Sequence, residues 1–330
     1  VVGGQPVEAE RLILIAQTAI QSIFVGDLQQ ADRLLSGTPS SLAYRDPLPS
    51  AWLLRARAWR ALAAGDPAAY GTLMRHSANA FGEIGDRRNS CVQQVNEAYS
   101  AIRLGRWEEA ITELKAVIEE TVQLGIEAVA AVAEHNLGYA LLQVGELTTA
   151  EQVESRAIDA FDRQGDRRML AASLAYQALI HVGQQRYSEA QERAEQALLA
   201  APANSPTEAL SLSVMASVIL DSMEKLGLSE DRDGLSSQAR ALSASQKASA
   251  LLNCFLGVDE GEFFIRAVHV RATEAAGDIE VARDLCKTLS TRLSLATSLL
   301  PRKHRRTFLT RVPEARLSVE LCQRLGAPQP

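Results

Sequence analysis

Aromatic residues are scarce in this sequence, 5% of 330 residues, although 47% are hydrophobic, so alanine and leucine carry the apolar share. Strands favour β-branched and aromatic side chains, whereas alanine and leucine are strong helix formers, and the balance predicts an all-helical chain. Cysteine is also sparse. Cys91, Cys254, Cys286 and Cys322 lie far apart with no Cys-x-x-Cys pair, which argues against a disulfide framework and a zinc site and predicts buried thiols in a reducing compartment. No run approaches the roughly 20 apolar residues of a membrane span, and the opening Val1-Val2-Gly3-Gly4 lacks the regions of a signal peptide. A cytoplasmic protein with no membrane partner is expected, and the start at Val1 predicts a segment of a longer polypeptide or, second to that, a processed product.

Enzyme signatures are missing too. There is no Gly-x-x-x-x-Gly-Lys phosphate loop, no Gly-x-Ser-x-Gly elbow and no His-Glu-x-x-His helix. The five histidines, His76, His135, His181, His269 and His304, are scattered without carboxylate or thiolate partners at ligand spacing. The sequence therefore predicts no catalytic residue, no metal and no cofactor. A net charge of -6 argues against a nucleic-acid footprint over the whole chain.

What is present is a repeat. Arg106-Trp107-Glu108-Glu109-Ala110, Glu146-Leu147-Thr148-Thr149-Ala150 and Arg186-Tyr187-Ser188-Glu189-Ala190 each set a bulky residue three positions before an alanine, at a spacing of 40. A second marker keeps the same period: Phe81, Gly85, Asp86, Arg87 and Arg88 return as Phe161, Gly165, Asp166, Arg167 and Arg168, with Gly125 at the halfway point. Gly26-Asp27, Gly65-Asp66 and Gly277-Asp278 extend the series in both directions. Apolar residues at three- and four-residue spacing flank each turn, so each unit predicts two amphipathic helices joined by a short loop. One hairpin leaves its apolar faces uncovered, and neighbours must stack to bury them.

His135-Asn136-Leu137-Gly138-Tyr139, followed by Gly145, Ala150 and Ala157, resembles the tetratricopeptide repeat, and the unit with Ala178, Tyr187, Ala190, Ala197 and Pro202 is similar. Small residues at Ala98, Gly138 and Ala178 fit the point of closest approach between the helices of one repeat. The likeness covers about residues 12 to 202 and, less closely, 263 to 300. Its long period resembles the repeats of bacterial signalling ATPases, kinase-associated regulators, maltose-regulator-type activators and peptide-sensing regulators. The resemblance implies a right-handed superhelical solenoid of antiparallel hairpins.

Between 203 and 262 the pattern weakens. Ser205-Pro206-Thr207-Glu208 predicts a capped helix start running to about Leu226, and the polar stretches 229–237 and 253–261 predict longer loops. The organisation expected is regular hairpins over 1–202, a degenerate repeat over 203–262, and a final hairpin with capping helices over 263–330, in one continuous array.

In tetratricopeptide arrays the first helix of each hairpin lines the concave face. Trp59, Tyr99 and Tyr139 are equivalent at spacings of 40, as are Asn96 and Asn136, and Trp52, Arg55, His135 and Tyr176 sit on neighbouring positions of the same helices. The resemblance implies an asparagine ladder that grips an extended peptide, since an amide offers both donor and acceptor to a backbone. The aromatic column fits recognition and core packing equally. Pro301-Arg302-Lys303-His304-Arg305-Arg306 reads first as a solvated helix face. The function expected is a protein- or peptide-binding regulatory module, with a ligand sensor controlling an attached effector as the alternative; a spacer between domains and an enzyme site hidden in 203–262 rank behind both.

Overall fold

The structure, a computed structural model, describes residues 5–39, 46–227, 236–254 and 261–328. Sixteen helices occupy them, and no strand occurs among the described residues. None of the helices is long and apolar enough to cross a membrane. The chain divides into two compact units, the first Val1–Ala133 with Leu299–Pro301, the second Glu134–Ser298 with Arg302–Pro330.

The first unit contains α1 (Gln5–Phe24), α2 (Leu28–Ser36), α3 (Pro47–Ala63), α4 (Pro67–Glu83), α5 (Arg87–Arg103) and α6 (Trp107–Gln123), and α7 (Glu127–Val144) begins in it. The rest of α7 opens the second unit, which continues with α8 (Leu147–Gln164), α9 (Arg167–Gly183), α10 (Tyr187–Ala200), α11 (Pro206–Leu226), α12 (Ser237–Cys254), α13 (Glu262–Ala275), α14 (Ile279–Leu299), α15 (Arg302–Arg311) and α16 (Pro313–Arg324). Within the units successive helices pack as hairpins, α3 with α4, α5 with α6, α9 with α10 and α11 with α12, as the 40-residue period predicted.

The turns explain why the helices stop and restart where they do. From Gly65 to Gly165 a glycine with positive φ recurs every 20 residues, at 65, 85, 105, 125, 145 and 165. The N–H of the residue after it bonds five residues back, Asp86 to the Phe81 carbonyl at 2.9 Å and Asp166 to the Phe161 carbonyl at 3.0 Å, which closes the preceding helix. The same aspartate then caps the next helix: Asp86 accepts from the Asn89 N–H at 3.0 Å and Asp166 from the Met169 N–H at 3.0 Å. Three residues thus end one helix and begin another. Arg87, Arg88, Arg167 and Arg168 follow these caps on exposed positions.

The next position in the series breaks the rule. Gln185, exposed and at φ 61°, holds the left-handed conformation without being glycine, which costs an L-residue about 1 kcal/mol. Gln185→Gly is expected to stabilise the second unit by up to about 1 kcal/mol, since glycine's extra unfolded-state freedom offsets part of the gain. A thermal melt checks it; an unchanged or lower midpoint would mean that the turn carries no strain.

In the second unit, α11 starts where the sequence predicts. Ser205 caps it by accepting from the Glu208 N–H at 3.1 Å, and Glu208 accepts from the Asn204 N–H at 2.5 Å. The longer loops expected at 229–237 and 253–261 fall largely outside the described residues. The cysteine expectation needs one correction: Cys91, Cys286 and Cys322 are buried, but Cys254, the last residue of α12, is exposed. Cys286 of α14 and Cys322 of α16, 36 residues apart in sequence, bring their sulfurs to 3.4 Å.

Candidate functional site

In the first unit, α5 buries Cys91, Val95, Ala98 and Ile102 and leaves Asn96, Tyr99 and Arg103 half-buried. These three sit at i, i+3 and i+7, one stripe of a helix. Asn96 donates from Nδ2 to Gln93 Oε1 at 3.3 Å, a weak local bond that leaves its carbonyl uncommitted. Arg103 donates to the Tyr99 hydroxyl at 3.2 Å.

The corresponding face of α3 carries Trp52, Arg55 and Trp59, all half-buried. Arg55 lies over the Trp52 ring with 5.2 Å from guanidinium carbon to centroid. Trp59 meets Phe24 edge-on at 5.1 Å and Tyr70 at 5.3 Å. Trp59 and Tyr99 both rest on the core cluster of Ala58, Leu62, Tyr70 and Met74. These aromatics therefore pack and face outward at once.

In the second unit the equivalent stripe on α7 holds Asn136 and Tyr139, again half-buried. Among the described residues Asn136 has no hydrogen-bond partner, and its amide is not sealed from solvent. Its next equivalent, 40 residues on, is Tyr176 of α9. Tyr176 is buried and stacks between two rings, His135 at 4.8 Å and Tyr139 at 4.6 Å. The asparagine register therefore does not continue into α9, where an aromatic fills the third place.

His135 is 4% exposed. Its Nδ1 lies 2.9 Å from Glu154 Oε1 and 2.8 Å from Ser173 Oγ, joining α7, α8 and α9. Serine, histidine and carboxylate suggest a nucleophilic relay, but a relay needs the serine on one ring nitrogen and the carboxylate on the other. Here both compete for Nδ1, so the cluster ties three helices together instead. Burial pushes the Glu154 carboxyl above its ordinary value, while His135 and Ser173 pull it the other way. Glu154 Oε2 has no partner and presses on Gly138, where a Cβ would stand 2.2 Å from it.

This cluster escaped the sequence analysis, although one signal for it existed. Leu114, Glu154 and Ala194 share a register position, and each is 0% exposed. A glutamate where neighbouring repeats place leucine and alanine is a charge in the core that requires a partner.

Two other expectations concern what is not brought together. Among the described residues no group of histidine, cysteine or carboxylate side chains is placed to hold a metal ion. The basic run opens α15, exposed over half of its residues and anchored by Phe308 against Phe263, ring centroids 6.4 Å apart.

These hairpins, with small residues at the helix contacts and asparagine and tyrosine on the first-helix face, define a helical-repeat fold of tetratricopeptide type. No protein-family model matches the sequence, and no curated protein matches it. Solved structures do. The crystal structure of a Rap protein complexed with the competence and sporulation factor is similar with a TM-score of 0.70 at 10% identity, over 99% of this chain and 87% of that one. The Rap conjugation gene regulator of plasmid pLS20, in complex with the Phr* peptide, is similar with a TM-score of 0.57 at 9% identity, over 97% and 96%. NprR in complex with its cognate peptide NprX has a TM-score of 0.53 at 14% identity, over 94% and 82%. At such identities the likeness is one of fold.

Proposed function

We propose that this chain is a protein- or peptide-binding module, the regulatory part of a larger bacterial signalling protein, and that the first-helix stripes form the ligand-facing surface of each unit. The observation that carries the proposal is Asn136: a half-buried amide on a helix face whose donors and acceptor are left uncommitted. A free amide of that kind pairs with an extended backbone at little entropic cost. Asn96, Trp52, Arg55, Trp59, Tyr99 and Tyr139 complete the contact set. His135 and Tyr176 support it from behind, holding Tyr139 in place by the ring stack.

The second reading is a sensor that binds a signalling peptide and controls an attached effector. It is favoured by the two similar structures solved with peptides, Phr* and NprX. On either reading the chain works in the cytoplasm, performs no chemistry itself and takes no nucleic acid, and its long repeats resemble those of signalling ATPases, kinase-associated regulators and maltose-regulator-type activators. The module comprises regular hairpins over 1–202, a degenerate repeat over 203–262 and a final hairpin with capping helices over 263–330.

A pull-down from source-cell lysate with the chain and with an Asn96→Ala, Asn136→Ala double variant tests this. Both side chains lack strong intramolecular bonds, so helicity is expected to be unchanged and stability to stay within about 0.5 kcal/mol of the parent. Loss of the partner by the variant alone supports the stripes as the binding surface. Equal capture by both removes them from it.

A further inference from the structure

The second helix of each hairpin keeps one position wholly in the core, four residues after Tyr70, Ala110, Ala150 and Ala190 in turn. Met74, Leu114, Glu154 and Ala194 hold it, and in α14 the residue in that place, four after Ala282, is Cys286. An alkyl side chain would serve packing as well. Instead the Cys286 sulfur meets that of Cys322 on α16 at 3.4 Å, and the Cys322 thiol reaches the Cys286 carbonyl at 3.7 Å. Both thiols are free and buried, packed among Ala267, Val270, Leu289, Leu321 and Leu325.

Two thiols in contact have chemistry that one alone lacks. The hydrogen bond from Cys286 holds Cys322 below the ordinary thiol value against the effect of burial, while that same bond, together with burial, pushes Cys286 up. Cys322 is therefore the sulfur that ionises first, with Cys286 in reserve beside it. That division suits the two halves of disulfide formation, a thiolate that reacts with oxidant and a second sulfur within reach to resolve the product. Cys91, buried on α5, and Cys254, exposed at the end of α12, have no such arrangement with each other.

We propose that Cys286 and Cys322 form a redox-sensitive clasp, in which oxidation by a hydroperoxide joins them in a disulfide that locks α16 onto α14. With hydrogen peroxide, the Cys322 thiolate attacks one oxygen, the O–O bond breaks, and hydroxide leaves to take up the proton Cys322 gave and become water. The Cys286 sulfur then attacks the Cys322 sulfenic acid, the S–O bond breaks, and a second water departs with the Cys286 proton. The two thiols lose two electrons and two protons, and one peroxide becomes two waters. The bonded distance is about 2.05 Å, so the sulfurs close by roughly 1.4 Å. In the reduced chain α16 is held by weaker ties, such as Arg283 donating to the Leu325 carbonyl at 3.1 Å and Arg324 to Glu274 at 3.0 Å. An oxidant little larger than water reaches the sulfurs when α16, a helix of 12 residues, opens locally. A transient, sensing disulfide is the kind a reducing compartment permits. The clasp goes beyond the peptide-binding reading and does not depend on it.

To test it, Cys254 in the full, folded chain is capped with N-ethylmaleimide and the protein is treated with hydrogen peroxide. Remaining thiols are alkylated in denaturant, and peptides are mapped by mass spectrometry without reductant. The expected product is a crosslinked peptide pair holding Cys286 and Cys322, lighter by two hydrogens and separated by dithiothreitol, with Cys91 recovered as an alkylated thiol. Backbone amides of α14 and α16 should exchange with solvent about tenfold or more slowly in the oxidised chain than in the reduced one. Cys322→Ser should show neither the crosslink nor the slowing, and the map of the parent chain decides the matter without it. Recovery of Cys286 and Cys322 as separate thiols or as sulfonic acids, or a crosslink through Cys91, would overturn the proposal. So would a Cys286–Cys322 crosslink that leaves exchange in α14 and α16 unchanged.

Discussion

Glu154→Ala is expected to destabilise the second unit by about 3–5 kcal/mol, the usual loss when one partner of a buried polar pair is removed. The substitution opens a cavity at a position with no solvent access, and it strips His135 Nδ1 of its carboxylate between α7, α8 and α9. His135→Ala should cost as much for a different reason. It leaves a carboxylate at 0% exposure facing only Ser173, with one oxygen already unpartnered.

The two variants separate by pH. In His135→Ala the groups that hold the Glu154 carboxyl down are reduced, so its folded pKa, already raised by burial, rises further above the unfolded value of about 4.3. A raised carboxyl favours the folded state only when protonated. Stability is then lost as pH climbs from the unfolded toward the folded pKa, and the deficit of His135→Ala should widen between pH 5 and pH 8. Glu154→Ala has no carboxyl to titrate and should show no such widening. Urea melts at both pH values measure it; a deficit independent of pH in both variants would show that the site is held by packing alone.

Gly138→Ala should be comparably severe, about 3 kcal/mol, at the upper end of overpacking costs. The new methyl would lie 2.2 Å from Glu154 Oε2, 3.3 Å from its Cδ and 3.4 Å from its Cβ. The glutamate cannot retreat, because its other oxygen is bound to His135 and its surroundings are core. Combining Gly138→Ala with Glu154→Ala is therefore expected to cost clearly less than the sum of the two, since the second change removes the atoms the first collides with. Additive losses would mean that α7 and α8 shift apart without touching the carboxylate.

How much of this was legible beforehand varies by feature. The hairpins, their period and their capped starts could be read directly, because Gly-Asp turns and heptad-like apolar spacing act over a few residues and need no distant partner. Gln185 kept the turn geometry without the glycine that announces it elsewhere. Gly138 was readable as a close approach between helices, but not what it approaches. Cys286 and Cys322 looked unrelated at 36 residues' separation, and adjacent helices bring them into contact.

Of the candidate surface, the positions of Asn96, Asn136, Trp59, Tyr99 and Tyr139 followed from register alone. Which side chains on those helices remain available was a different question. His135 and Tyr176 share the same helices and are buried, and of the three arginines on α3 Arg60 and Arg57 hold hydrogen-bond acceptors while Arg55 lies over the Trp52 ring. Sequence by itself determined the helical repeat and its turns, since these depend on local periodicity and turn chemistry. Tertiary structure decided which polar groups pair off and which are left over, because a hydrogen bond or ion pair depends on distances between helices that no local pattern encodes.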